Sequence, residues 1–288
     1  MINKKDIEDG IVELIRKAES TIPEDVEEAL KKAYNNEDNK LARLQLSTIL
    51  RNIQEAKHKG YPICQDTGMQ CFIVSAGEGF PDIGALNSCI KKAVKRAAKI
   101  IPLRPNTVNP ITGETNKDNT GWYTPHIIWD ITEGDDVLIT AQPKGSGSEN
   151  MSMLLMLNPS LDLDSVKDLI VNRVKEADGN PCPPIILGVG IGGGADAALK
   201  LGKIALTRRV GERNKDPAIA GLELDILKQV NDTGIGPMGL GGRTTALDVH
   251  VEVAHRHPAS LPVGVVFQCW ADRRATMIIH SNGEWGIL

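Results

Sequence analysis

Residues 181–194 read Pro-Cys-Pro-Pro-Ile-Ile-Leu-Gly-Val-Gly-Ile-Gly-Gly-Gly. The apolar run over 185–190 is what a strand buried on both faces requires. It runs into a glycine cluster, and residues 195–206 then carry a helical pattern. A buried strand feeding a helix is a building unit of α/β folds. Working outward, residues 163–177 and 217–232 read as helices. Residues 71–75, 126–131, 136–142, 249–254, 262–268 and 275–279 read as strands. Residues 82–100 read as a helix whose cationic face (Lys91, Lys92, Lys95, Arg96, Lys99) is a solvated surface. The loop over 101–123 is rich in Pro, Asn, Gly and Thr and has no periodicity, a length that compact domains reserve for function.

The start of the chain differs in character. Ile7, Ile11, Leu14 and Ile15 share a face at helical spacing. A second helical segment runs from Thr21 to Tyr34, opening Thr-Ile-Pro-Glu-Asp, and Asp38 or Asn39 caps a third that carries Leu41, Leu44, Leu46, Leu50 and Ile53. The expected fold is therefore α/β of the α+β type. Residues 1–60 form a helical N-terminal block, and residues 61–288 form an α/β region with mixed strand directions, the two making one continuous domain.

Composition excludes several classes. Apolar residues are 41% of 288, enough to build a core. Lys and Arg number 33 against 37 Asp and Glu, a net charge of −4, so a nucleic-acid partner is not expected. No stretch reaches the ~20 apolar residues of a membrane span, and the N-terminus lacks a signal-peptide core. The chain is expected to be cytoplasmic.

Gly188-Val-Gly-Ile-Gly-Gly193 matches the dinucleotide fingerprint, with Glu212 at roughly the distance of the ribose-binding acid. An NAD-binding oxidoreductase is one reading of it. A tight strand-to-helix turn is the other.

The five cysteines are Cys64, Cys71, Cys89, Cys182 and Cys269. An odd, sparse set argues against a disulfide framework. Cys71 and Cys89 fall within element patterns and read as packing. Cys64 precedes Gln-Asp-Thr-Gly, Cys182 lies among prolines, and Cys269 opens Cys-Trp-Ala-Asp-Arg-Arg. No C-x-x-C pair is present, so a zinc ribbon or ferredoxin motif is excluded. A metal site requires three remote segments to converge.

Five stretches carry a resemblance: Tyr61-Pro-Ile-Cys-Gln-Asp-Thr-Gly68, Lys144-Gly-Ser-Gly-Ser-Glu-Asn150, Pro181-Cys-Pro-Pro184 with Gly188 to Gly194, Gly239-Leu-Gly-Gly-Arg-Thr-Thr245, and His255-Arg-His-Pro-Ala-Ser-Leu-Pro262 followed by Cys269. Together they resemble the alpha subunit of class I, iron–sulfur-dependent fumarate hydratases and of the related L-tartrate dehydratases. The resemblance implies a [4Fe–4S] cluster on Cys64, Cys182 and Cys269. Three thiolates leave one iron with an open position for a substrate oxygen. It further implies that Gln65, Arg104 and Gly147 contact substrate, that Asp66 donates a proton to the leaving hydroxyl, and that His257 lies in the site. An Asp in that role needs a raised pKa.

Single-chain members continue into a second domain, whereas this sequence stops at Leu288. The split form is expected, with a beta subunit supplying further cationic residues and the base. The implied activity is a hydro-lyase that reversibly hydrates fumarate to L-malate. Tartrate dehydration is the alternative.

Of the histidines, a strand running on from Val249 would put His255 and His257 on one face with Val251 and Val253, and His250 on the other. That argues against a three-His metal site.

Overall fold

Asn3 opens helix α1 (Lys4–Ser20) by accepting from the backbone N–H groups of Lys5 and Asp6, two of the donors a helix start leaves orphaned. Ile7, Ile11, Leu14, Ile15 and Ala18 are buried, and so is Glu19, four residues after Ile15 on the same face. Helix α2 (Glu24–Asn36) follows Pro23. Asn39 caps α3 (Lys40–Lys59) by accepting from Leu41 and Ala42. The helical start expected from the periodicity is present.

Next come β1 (Cys71–Gly77), α4 (Ile83–Ile100), the short pair β2 (Thr107–Val108) and β3 (Thr115–Asn116), β4 (His126–Thr132) and β5 (Val137–Ala141). They are followed by α5 (Ser146–Glu149), β6 (Met153–Leu157), α6 (Leu163–Ala177), β7 (Ile185–Gly193), α7 (Ala195–Ala205) and α8 (Pro217–Asn231). The chain ends with β8 (Ala246–Arg256), β9 (Leu261–Gln268), β10 (Ala275–Ile279) and β11 (Trp285–Ile287).

The computed structural model describes residues 3–288. The chain forms two compact units. The first comprises Met1–Pro23, Asn52–Ser146 and Arg273–Leu288, and the second Glu24–Arg51 and Gly147–Asp272.

The first unit holds a five-stranded mixed sheet in the order β11-β10-β5-β1-β4. β1 is parallel to β4 and antiparallel to β5. Leu86, Cys89, Ile90, Ala93, Val94 and Ala97 form the buried stripe of α4. They join the apolar face of α1 and residues Phe72, Val74, Ile139 and Met277 in one core. The cationic face of α4 is a solvated surface whose Lys92, Lys95 and Arg96 pair with Glu8, Asp118 and Asp9.

The second unit holds a four-stranded mixed sheet in the order β6-β9-β7-β8. β7 is parallel to β8 and antiparallel to β9. Helices α6 and α8 contribute Val166, Ile170, Val174, Ile226 and Val230 to its core. The mixed strand directions agree with the expected α/β class.

Two details depart from the sequence reading. The strand pattern over 185–190 extends to Gly193, so Gly188 and Gly190 stand inside β7 rather than in a phosphate-cradling loop. A Cβ on Gly188 would sit 2.8 Å from Leu206 Cγ and overlap the Gly202 carbonyl. One on Gly190 would sit 2.7 Å from Leu201 Cβ. These glycines let α7 lie directly on the strand, and the dinucleotide reading is set aside. The second departure is the set of short strands β2, β3, β6 and β11, which no pattern announced. Two to five residues are too few to show alternation.

Candidate active site

The turn after Cys64 belongs to the first unit, and Asp66 is its best-anchored side chain. Oδ1 accepts from the Gly68 backbone at 2.9 Å and from Asn106 Nδ2 at 3.1 Å. Oδ2 accepts from the Ser146 backbone at 2.8 Å and its hydroxyl at 3.0 Å. Burial pushes the acid upward, but these donors and the positive charge of Arg273 outweigh it and hold Asp66 below the usual carboxylate range. The raised pKa expected of a proton donor is thus not its resting state. Asp66 rests as an oriented carboxylate.

Arg104 lies on the long loop, which is tied to the same turn. Its backbone N–H donates to Thr67 Oγ1 at 3.0 Å, and its carbonyl accepts from Asn119 Nδ2 at 3.0 Å. Asn119 Oδ1 in turn accepts from the Asn106 backbone at 2.8 Å. The Arg104 side chain is exposed and pairs with no acid among the described residues. Gln65, between Cys64 and Asp66 in sequence, is exposed.

In the second unit, Cys182 and Cys269 are brought together. The Trp270 backbone N–H, next to Cys269, donates to the Cys182 carbonyl at 3.2 Å. Cys182 has φ +55°, the left-handed region that a residue with a Cβ enters only when its surroundings impose it. Gly147 is exposed and near this loop: a Cβ there would stand 3.2 Å from the carbonyl of Asn180. His257 is exposed at the end of β8. Its Nδ1 accepts from the Ala259 backbone at 3.1 Å, and no hydrogen bond links it to the other candidates among the described residues. His250 is fully buried against Ala205 and Asp248, so it is a core histidine.

The thiols sort into two classes. Cys71 and Cys89 are 7% and 2% exposed, and burial pushes the Cys89 thiol up. Cys64, Cys182 and Cys269 are partly exposed, and none of the five forms a disulfide. Exposed, reduced thiols on fixed bends are the donor type an iron–sulfur cluster uses, so these residues fit that group in chemistry. Among the described residues no three His, Cys, Asp or Glu side chains converge as ligands of one metal ion. The thiolates of a cube stand further apart than the donors of a single ion.

Sequence reasoning missed Asn106, Glu19 and Arg273, and it offered Ser146 only as an alternative to Gly147 for a backbone contact to substrate. Arg273 Nη1 donates to Glu19 Oε2 at 2.9 Å, and both side chains are buried. Gln70 Nε2 donates to Glu19 Oε1 at 2.8 Å. Burial raises Glu19 to about 7, against the opposing pull of Arg273 and Gln70. One signal was available, since Glu19 continues the apolar spacing of Ile11 and Ile15. The position of Arg273 within Cys-Trp-Ala-Asp-Arg-Arg was another.

Comparison with known proteins adds a family match. The model of a family described as Fumarate hydratase (Fumerase) matches residues 8–278. A Methanocaldococcus jannaschii protein named "Putative L(+)-tartrate dehydratase subunit alpha" is 47% identical over 282 residues, 96% of this chain and 99% of that protein. Proteins named L(+)-tartrate dehydratase subunit alpha from Escherichia coli O157:H7 and K12 are 36% and 35% identical over 262 residues, 91% of this chain and 86% of theirs.

Proposed function

The chain belongs to the fumarate hydratase (Fumerase) family of hydro-lyases, and on that premise we propose that it hydrates fumarate reversibly to L-malate as the alpha subunit of a two-subunit enzyme. The observation that carries the reading is the Asp66 carboxylate, held by Gly68, Asn106 and Ser146 two residues after a partly exposed cysteine. Cys64, Cys182 and Cys269 would hold a [4Fe–4S] cluster. When bound, that group supplies a Lewis acid for a hydroxyl or carboxylate oxygen.

The remaining work falls to side chains. In the hydration direction the Asp66 carboxylate takes a proton from the water oxygen. In dehydration it returns that proton to the departing hydroxyl, as microscopic reversibility requires. Arg104, unpaired and planar, clamps one substrate carboxylate. Gln65 and the Gly147 backbone orient the dicarboxylate, and His257 faces the substrate. A beta subunit supplies the groups for the second carboxylate and the base at carbon. A reducing compartment, the cytoplasm, suits exposed thiols of this kind.

A second reading is L(+)-tartrate dehydration, favoured by the names of the relatives just described. The chemistry is the same with one more hydroxyl, and a single polar contact can decide between such substrates. The test is steady-state turnover of both substrates by the reconstituted two-subunit complex under anaerobic conditions. Fumarate as the better substrate by kcat/KM supports the first reading, and tartrate supports the second. Turnover of neither contradicts both. The chain without its partner should be inactive, and near-full turnover by it alone contradicts the shared active site.

A further inference from the structure

Among the described residues Arg273 is the largest fully buried side chain, 1% exposed. Its Nη1 is fixed by Glu19 Oε2 at 2.9 Å, and Glu19 is itself held on its other oxygen by Gln70 at 2.8 Å. The second amino group is directed elsewhere. The point that a Cβ on Gly145 would occupy lies 3.9 Å from Arg273 Nη2 and 3.4 Å from Asp66 Oδ2. Both groups thus border the space that a side chain at Gly145 would take. The next residue, Ser146, gives Asp66 two hydrogen bonds.

Isolated buried charges are expensive. Here the cost is met by a chain of partners, Gln70, Glu19 and Arg273, and the Arg273 charge acts through space on the Asp66 carboxylate. We propose that Glu19 and Arg273 are positioning residues for Asp66: Glu19 anchors Arg273, and Arg273 holds the Asp66 carboxylate in its working orientation from behind Gly145. The catalytic part of this proposal rests on the reading of Asp66 as the proton carrier. The structural part does not.

Two measurements separate those parts. The first is thermal melting of the full chain carrying D66N, R273M and both, a double-variant cycle that needs no turnover. The double variant should lose less melting temperature than the two single losses together. A loss equal to their sum overturns the coupling. If R273M does not fold, R273K and the isosteric E19Q take its place in the cycle.

The second is turnover by the two-subunit complex at matched cluster content, checked by iron analysis. R273M should lower kcat by about tenfold or more with little change in KM. R273K, which keeps the charge, should recover part of that loss, and E19Q should fall between R273K and wild type. Unchanged kcat in R273M, or loss confined to KM, overturns the positioning role. A wild-type complex that turns over neither fumarate nor tartrate ends the functional reading, while the melting cycle still decides the coupling.

Discussion

The two acids of the first unit are driven in opposite directions by their surroundings. Asp66 is ringed by donors and held low, whereas Glu19 is buried and raised to about 7 despite Arg273. The Glu19 shift has a consequence for stability. A carboxyl whose folded pKa lies above its unfolded value of 4.5 binds its proton more tightly in the folded state. Its contribution is therefore full below about pH 4.5 and is lost as pH rises through 7, by roughly 3 kcal/mol in total. Asp66 and Asp248, both held low, are already ionised across that window and do not mask it. Chemical denaturation between pH 4.5 and 7.5 should show the wild-type chain losing this increment relative to E19Q. Parallel pH profiles for the two proteins would contradict the assignment. The apolar spacing from Ile11 through Ile15 to Glu19 made Glu19 visible in the sequence as an acid on a core stripe. Its partner was not visible, because Arg273 lies on a segment 254 residues away and no local pattern encodes such a pairing.

The strand β7 and the helix α7 show why a motif can mislead while the element around it is read correctly. Apolar density marked the strand and 3.6-residue spacing marked the helix, and both are present. The glycines between them resembled a nucleotide loop because local sequence does not distinguish a glycine needed for φ from one needed for contact. In the folded chain the contact reason holds at Gly188 and Gly190, whose missing side chains admit the backbone of α7. Gly188→Ala should therefore destabilise the chain by about 1–3 kcal/mol or more, since the obstructing atoms include backbone. Gly221→Ala, in the open interior of α8, should be neutral or stabilising by up to about 1 kcal/mol. Urea unfolding of both variants checks this, and equal effects would contradict the packing explanation. The elements that escaped the sequence reading, β2, β3, β6 and β11, have two to five residues each. Their existence depends on partners elsewhere in the sheet rather than on their own periodicity.

At the scale of the molecule, the mixed sheets order segments that are remote in sequence. Cys64 lies in the first unit, and Cys182 with Cys269 in the second. Within the second unit the Trp270 N–H to Cys182 carbonyl hydrogen bond joins the two cysteine loops. Among the described residues no helix is long and apolar enough to cross a membrane. Cys64, Gln65, Asp66, Cys182 and Cys269 stand out in the sequence because they lie in short, chemically unusual stretches, whereas Arg104, Gly147 and His257 were named only through the resemblance. Asn106 and Arg273 left no signal of their role, since a long-range polar partnership has no local pattern. The most direct measurement is iron and sulfide content after anaerobic reconstitution of the two-subunit complex, for wild type and for single Cys variants. The wild type should bind about four iron atoms per chain, and C64S, C182S and C269S should each lose most of them, while C71A and C89A keep a full complement. Full iron loading in any of C64S, C182S or C269S, or loss of iron in C71A and C89A alone, would contradict the ligand set.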